Sequence, residues 1–441
     1  MSITSVSQIR YVIQPGGRLS GTCRVPGDKS ISHRSIMFGS LAEGTTHIAG
    51  FLEGDDALAT LQAFRKMGVN IEGPEAGVVK IQGVGLRGLQ KPKGVLDVGN
   101  AGTAMRLFMG LLSGQHFEVT LSGDASLTKR PMNRVANPLR DMGVSVETAA
   151  GGHPPVTIKA NGLVKATDYV MPMASAQVKS CILLAGLYAD GETSVVEPAP
   201  TRDHTERMLR GFGYPVKTEG NKVSLVGGGK LTATDIDVPA DISSAAFYMV
   251  GASIAPGSDI TLKHVGVNPT RSGIISILRL MGADITLLNR RDVGGEPVAD
   301  IHVRYTPLKG INIPETLVPL AIDEFPVLFI AAACATGKTI LTGAEELRVK
   351  ESDRIQVMAD GLQTLGINAQ STPDGMIIEG GEITGGQVET HDDHRIAMSF
   401  TMAALKSTGP ITVNNCSHVA TSFPSFVALT QQLGISIEEQ S

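Results

Sequence analysis

The chain has 441 residues, enough for two or three ordinary domains, with 42% hydrophobic and 4% aromatic residues, no Trp and 51 Gly. Its formal net charge of −5 excludes broad nucleic-acid binding, which needs a basic face, but leaves room for a locally positive cleft that takes small anions. The core must be aliphatic, with many tight turns and close backbone approaches.

The first residues mix Arg10, Arg18 and Arg24 with polar side chains and carry no apolar run, so no signal peptide is expected. Farther along, two interleaved series of helices are predicted. The first is small and aliphatic, with segments ending at Gly44, Gly114, Gly191, Gly257, Gly337 and Gly409, at intervals of 70, 77, 66, 80 and 72 residues. These read as buried helices with Gly as the C-terminal stop. The second is amphipathic and closes at Gly68, Gly143, Gly213, Gly282, Gly366 and Gly434. Short alternating stretches such as VSLVGG and DITLL fill the gaps as strands. Six units of strands plus two helices follow. A six-unit solenoid is one closure. Two globular halves of three units cover the apolar helices better, with the break near residues 232–241.

The longest apolar run, Phe325 to Ala335, falls short of the ~20 residues that span a bilayer. Cys23, Cys181, Cys334 and Cys416 are far apart, so neither a disulfide framework nor a zinc site is expected, and the setting is reducing and cytoplasmic.

Polar residues cluster at the predicted helix starts, where backbone N–H groups and the helix dipole favour anions. In chain order they are Gly27-Asp28-Lys29-Ser30 with Arg34, then Gly99 to Thr103 with Arg106, then Lys129-Arg130-Pro131. Ser175-Ala176-Gln177 and Thr201-Arg202-Asp203-His204 follow in the third unit. Asp323-Glu324, Arg348 to Arg354, and His391-Asp392-Asp393-His394-Arg395 belong to the last two units. The fourth unit has the weakest signal, Asp241 and Arg271. One such cluster reads as an ordinary cap. Repetition on equivalent ends, each time with cations, points to a shared anion-binding role. Ala335 to Thr339 looks like the end of a P-loop, but Ala332 stands where that motif needs Gly, and the segment follows a buried helix. Adjacent residues in HDDHR point to different helix faces, so no metal site is expected there.

These residues carry a family resemblance. PGDKSISHR, GNAGTAMR, LTKRPM, SAQVKS, TRDHTERML, DEFPVL, RVKESDR and DDHRIAM resemble the signatures of the 5-enolpyruvylshikimate-3-phosphate (EPSP) synthases, in the family's order from about Pro26 to Pro424. LTKRPM, SAQ and TRDHTE are more similar to the bacterial branch typified by glyphosate-tolerant members. The resemblance implies transfer of the enolpyruvyl group of phosphoenolpyruvate to the 5-hydroxyl of 3-phosphoshikimate, in the shikimate pathway to chorismate and aromatic amino acids. It implies no metal or organic cofactor, small-molecule substrates only, no nucleic acid, no membrane, and a cytoplasmic monomer. The implied fold is α/β, a two-domain inside-out α/β barrel of six βαβαββ repeats, three per domain. One domain holds residues 26–239; the other joins residues 1–25 to 240–441.

The resemblance also implies roles. Lys29 contacts both substrates. Ser30, Arg34, Ser175, Gln177, Arg202, Asp323 and Lys350 hold 3-phosphoshikimate. Gly102, Arg130, Gln177, Arg354 and Arg395 hold phosphoenolpyruvate. The catalytic residues are Lys29, Asp323 as base at the 5-hydroxyl, and Glu351 as the acid that exchanges a proton with the methylene carbon. Other branches carry a Lys in the segment that reads Ala420 to Pro424 here, so no cation is assigned there. Some tolerant members have Ala where Gly102 stands, so glyphosate is expected to compete with phosphoenolpyruvate. Two rivals stand beside this reading. A UDP-N-acetylglucosamine enolpyruvyl transferase typically has a loop Cys and a Lys-Asn pair, whereas SGDASLTKRP has no Cys and Ser30 follows Lys29. A non-catalytic repeat scaffold would need no paired acid and base.

Overall fold

The structure, a computed structural model, describes residues 9–160 and 163–441. Part of the expectation about a leader falls on residues 1–8, outside the described residues. Among the described residues, twelve α-helices lie where the two predicted series place them. The first series is α1 (Lys29–Leu41), α3 (Gly102–Leu112), α5 (Ala176–Gly186), α7 (Ile242–Ile254), α9 (Phe325–Ala333) and α11 (His394–Ala403). The second is α2 (Asp55–Lys66), α4 (Asn133–Asp141), α6 (His204–Gly211), α8 (Gly273–Leu280), α10 (Arg354–Thr364) and α12 (Phe426–Leu433). Among the described residues no helix is long and apolar enough to cross a membrane.

The two series differ as their sequences demand. α7 and α9 are buried on every side, as helices apolar all round must be. Small residues set their spacing: a Cβ on Gly110 of α3 would lie 2.1 Å from the carbonyl oxygen of Cys181 on α5. The second series ends as expected, with all six closing glycines at φ between 76° and 112°, the left-handed cap that a side chain disfavours. The first series differs from expectation. Its helices stop short of the predicted glycine; Gly44, for instance, lies inside the strand Ala42–Ala49. Gly114 and Gly409 do not have positive φ. These glycines serve the entry to the next strand rather than the helix end.

The chain divides into two compact units. The N-terminal unit is Gly27–Val238 with the short segment Asp292–Glu296; the C-terminal unit is residues 9–26, Pro239–Arg291 and Pro297–Ser441. Each has its own hydrophobic core.

One sheet order recurs. In the second repeat Leu96–Asp97 runs parallel to Val119–Ser122 across α3, and Val119–Ser122 pairs antiparallel with His153–Ile158, itself paired with Val146–Ala149. The third repeat does the same across α5 with Asp168–Val170, Glu192–Val196, Lys222–Val226 and Lys217–Glu219. The first repeat takes its leading strand from the end of the unit, where Ile236 lies opposite Ile48. The C-terminal unit borrows from the chain start. Ser20–Cys23 leads the fourth repeat, parallel to Asp259–Gly266. Arg10–Ile13 completes the sixth, with Tyr11 opposite both Val413 and Glu439. The six sheets are open and separate, and no closed barrel forms among the described residues. Parallel crossovers put each leading helix under its sheet, so the inner helices start at the same end of every repeat.

Lys338–Leu341 follows α9 as a strand. Helix then strand is the reverse of a P-loop's order. Cys23, Cys181 and Cys416 are buried and Cys334 is half-buried, all as free thiols. Burial pushes Cys23 up to about 11, and Cys334 and Cys416 up to about 12, which leaves them unreactive.

Candidate active site

In the N-terminal unit, Asp28 caps α1 by accepting from Ile31 N at 2.9 Å. This turns Lys29 and Ser30 out at the first turn, both half-buried. Lys29 Nζ donates to Asp56 Oδ2 at 2.9 Å. One turn on, Arg34 is 4% exposed. Its Nε donates to Thr205 Oγ1 at 2.8 Å, Nη1 to the Ser30 carbonyl at 2.9 Å and Nη2 to Ser180 Oγ at 3.1 Å. Burial pulls the Arg34 pKa down to about 10, still a cation at neutral pH. Burial, with Lys29 and Arg34 close by, pushes His33 down to about 3, so that imidazole stays neutral.

At the start of α3 the cap residue is Ala101, which offers no side-chain hydrogen bond. Two guanidiniums stand there: a Cβ on Gly102 would be 3.0 Å from Arg130 Nη1 and 3.2 Å from Arg106 Nη1. Arg130 Nη2 donates to Asn100 Oδ1 at 2.5 Å, and Asn100 Nδ2 donates to Asp124 Oδ2 at 2.7 Å. Arg106 Nη1 donates to Gln177 Oε1 at 2.7 Å, and Gln177 Nε2 donates to Thr103 Oγ1 at 3.0 Å. Ser175 caps α5. That helix therefore joins the Arg106 group, through Gln177, to the Arg34 group, through Ser180. Arg202, half-buried in the loop before α6, lies within electrostatic reach of Arg34.

The C-terminal unit gathers Asp323, Lys350, Glu351, Arg354 and Arg395, five residues drawn from three segments. Asp323 Oδ1 lies 3.6 Å from Lys350 Nζ and 3.4 Å from Arg354 Nη1; Asp323 Oδ2 lies 4.0 Å from Arg395 Nη2. Arg354 Nη2 donates to Glu351 Oε2 at 2.7 Å. Arg354 is 0% exposed, and its other partner is Asp393, through Nε at 2.8 Å and Nη2 at 3.3 Å. Burial works against that charge, but Asp393, Glu351 and Asp323 outweigh it and raise the guanidinium pKa. Asp393 also caps α11 through Arg395 N at 3.0 Å.

The fourth repeat, weakest in sequence, is strongly built in space. Asp241 caps α7 through Ser243 N at 2.8 Å. Buried Arg271 reaches Asp241 Oδ1 at 3.2 Å and Ser243 Oγ at 2.6 Å. Ser243 also donates to Glu324, whose Oε1 is 3.8 Å from Arg395 Nη1. Asp241 and Arg271 lie in separate segments, so no spacing rule joins them. Asp393, Glu324, Asp56 and Asn100 were likewise not assigned from sequence; each stands in or beside a quoted motif or on the following helix. The segment Ser417–Thr421 is a short 3-10 turn leading to fully buried Phe423.

A family model described as EPSP synthase (3-phosphoshikimate 1-carboxyvinyltransferase) matches residues 13–429. A 3-phosphoshikimate 1-carboxyvinyltransferase from Methylococcus capsulatus is 66% identical over 428 residues, 97% of this chain and 98% of that protein. Among solved structures, the EPSP synthase from Acinetobacter baumannii has a TM-score of 0.89 at 61% identity, covering 99% of this chain and 100% of that one. The enolpyruvyl transferase NikO from Streptomyces tendae has a TM-score of 0.78 at 17% identity, covering 98% and 99%. The fold is therefore that of the enolpyruvyl transferases, and the protein is a transferase. Within that class, the chain belongs to the EPSP synthase family. The scaffold and UDP-N-acetylglucosamine readings give way to it.

Proposed function

We propose that these residues transfer the enolpyruvyl group of phosphoenolpyruvate to the 5-hydroxyl of 3-phosphoshikimate, releasing phosphate. The observation that supports it best is the grouping of Asp323 and Glu351 around the buried guanidinium of Arg354, with Lys350 and Arg395 beside them. Asp323 takes the proton of the 5-hydroxyl as its oxygen bonds to C2 of phosphoenolpyruvate. Glu351 protonates the methylene carbon. Reversal of that proton step at C3 breaks the C2–O bond to phosphate and forms the enol ether, and the proton from the 5-hydroxyl leaves with the phosphate. Lys29, Ser30, Arg34, Ser175, Gln177, Arg202, Asp323 and Lys350 hold 3-phosphoshikimate. Lys29, Gly102, Arg130, Gln177, Arg354 and Arg395 hold phosphoenolpyruvate. Fixed cations and helix starts stabilise the tetrahedral adduct, which carries the phosphate and carboxylate of both substrates, without reorganising. Side chains and backbone groups supply all of this chemistry, with no metal or organic cofactor. The enzyme acts as a cytoplasmic monomer on small molecules, without nucleic acid or membrane.

A phosphate-release assay with each substrate omitted in turn tests the reaction. Release is expected only when both are present, and none with both would overturn the reading. Gly102 leaves the start of α3 open, so glyphosate competes with phosphoenolpyruvate; unchanged turnover in excess glyphosate at low phosphoenolpyruvate would refute that.

A further inference from the structure

The N-terminal unit buries a second charged network that no step above uses. Lys179, in the first half of α5, has a side chain 1% exposed. Its Nζ lies 2.7 Å from Glu206 Oε1 and 3.0 Å from Glu197 Oε2. Glu206, in the first turn of α6, is 2% exposed, and burial raises its pKa. Desolvating such charges is costly, and an apolar side chain would fill the space at no electrostatic cost. Stability alone does not account for them.

Their neighbours do. Ser180 follows Lys179 on α5, and Thr205 precedes Glu206 on α6. The two hydroxyls lie 2.7 Å apart, and both accept from Arg34. The third acceptor of Arg34 is the Ser30 carbonyl. All three are neutral, although Glu206 is near enough to act on the Arg34 charge. A guanidinium held by neutral acceptors keeps its charge for an outside anion, whereas one locked to a carboxylate does not.

We infer that Lys179 is a positioning residue for 3-phosphoshikimate. It occupies Glu206, which would otherwise capture Arg34 and draw the guanidinium away from Ser180 and Thr205. The inference rests on the reading of Arg34 as a 3-phosphoshikimate ligand.

Steady-state kinetics with each substrate varied in turn provide the test. Lys179→Met is expected to raise KM for 3-phosphoshikimate about tenfold or more, with kcat and KM for phosphoenolpyruvate within about threefold. Lys179→Met/Glu206→Gln removes the released charge and is expected to bring that KM back to within about threefold of the parent. A well-folded Lys179→Met enzyme with unchanged KM overturns the inference. So does a double variant no better than the single one, the result expected if Lys179 were only packing. Should Lys179→Met fail to fold, the double variant alone decides, a KM raised about tenfold counting against. Arg34→Gln separates the two claims. If it leaves KM for 3-phosphoshikimate unchanged, the reading of Arg34 falls. If it raises KM while Lys179→Met does not, only the role of Lys179 falls.

Discussion

Asp323 and Glu351 sit against the same guanidinium, yet on different atoms: Arg354 Nη1 is 3.4 Å from Asp323 Oδ1, and Nη2 donates to Glu351 Oε2 at 2.7 Å. Two separately held carboxylates suit two separate proton transfers, one at oxygen and one at carbon. A positioned acid or base contributes typically ~10²–10⁴-fold. Asp323→Asn and Glu351→Gln are each expected to lower kcat by about that factor while both substrates still bind, as read by phosphate release at saturating substrate. Turnover left intact in either variant would remove that residue from the mechanism.

At the scale of elements, α7 and α11 of the C-terminal unit share a construction. Asp241 and Asp393 cap α7 and α11 through backbone N–H groups. Each also takes a buried arginine from another segment, Arg271 or Arg354. One carboxylate thus fixes a helix start and a cation together. Removing it strands a charge in the interior. Asp393→Ala is therefore expected to cost about 3–5 kcal/mol of stability, the range for breaking a buried pair from one side. A urea midpoint that scarcely moves would show that Glu351 and Asp323 hold Arg354 without it.

For the whole molecule, the segment 10–25 is structural. Tyr11, Ile13, Leu19 and Val25 are buried in the C-terminal core, and Tyr11 stacks on Phe426 at 6.2 Å between ring centroids. Burial of each large apolar side chain is worth roughly 1.5–3 kcal/mol. Deleting residues 1–25 also opens two sheets. The shortened chain is expected to lose cooperative unfolding of the C-terminal unit, followed by circular dichroism through a urea titration. A single sharp transition at the parent midpoint would contradict this. The N-terminal unit draws its own closing strand from Ile236–Asp237, so its transition is expected to persist.

Much of this was legible in the sequence, and the boundary has a physical cause. Helix positions, the sixfold repeat and the polar helix starts follow from local periodicity, glycine chemistry and capping, which act over a few residues. The cations of motifs such as DKS, TKRP and KESDR therefore lie in or just before the first turns of helices. Partner choice is different. Asp393 on Arg354, Arg271 on Asp241, and Lys179 between Glu197 and Glu206 join residues from separate segments. So do the N-terminal strands that complete two sheets of the C-terminal unit. No spacing rule links such positions. Only the tertiary structure, by burying them together where an unpaired charge or strand edge would be costly, decides which meets which.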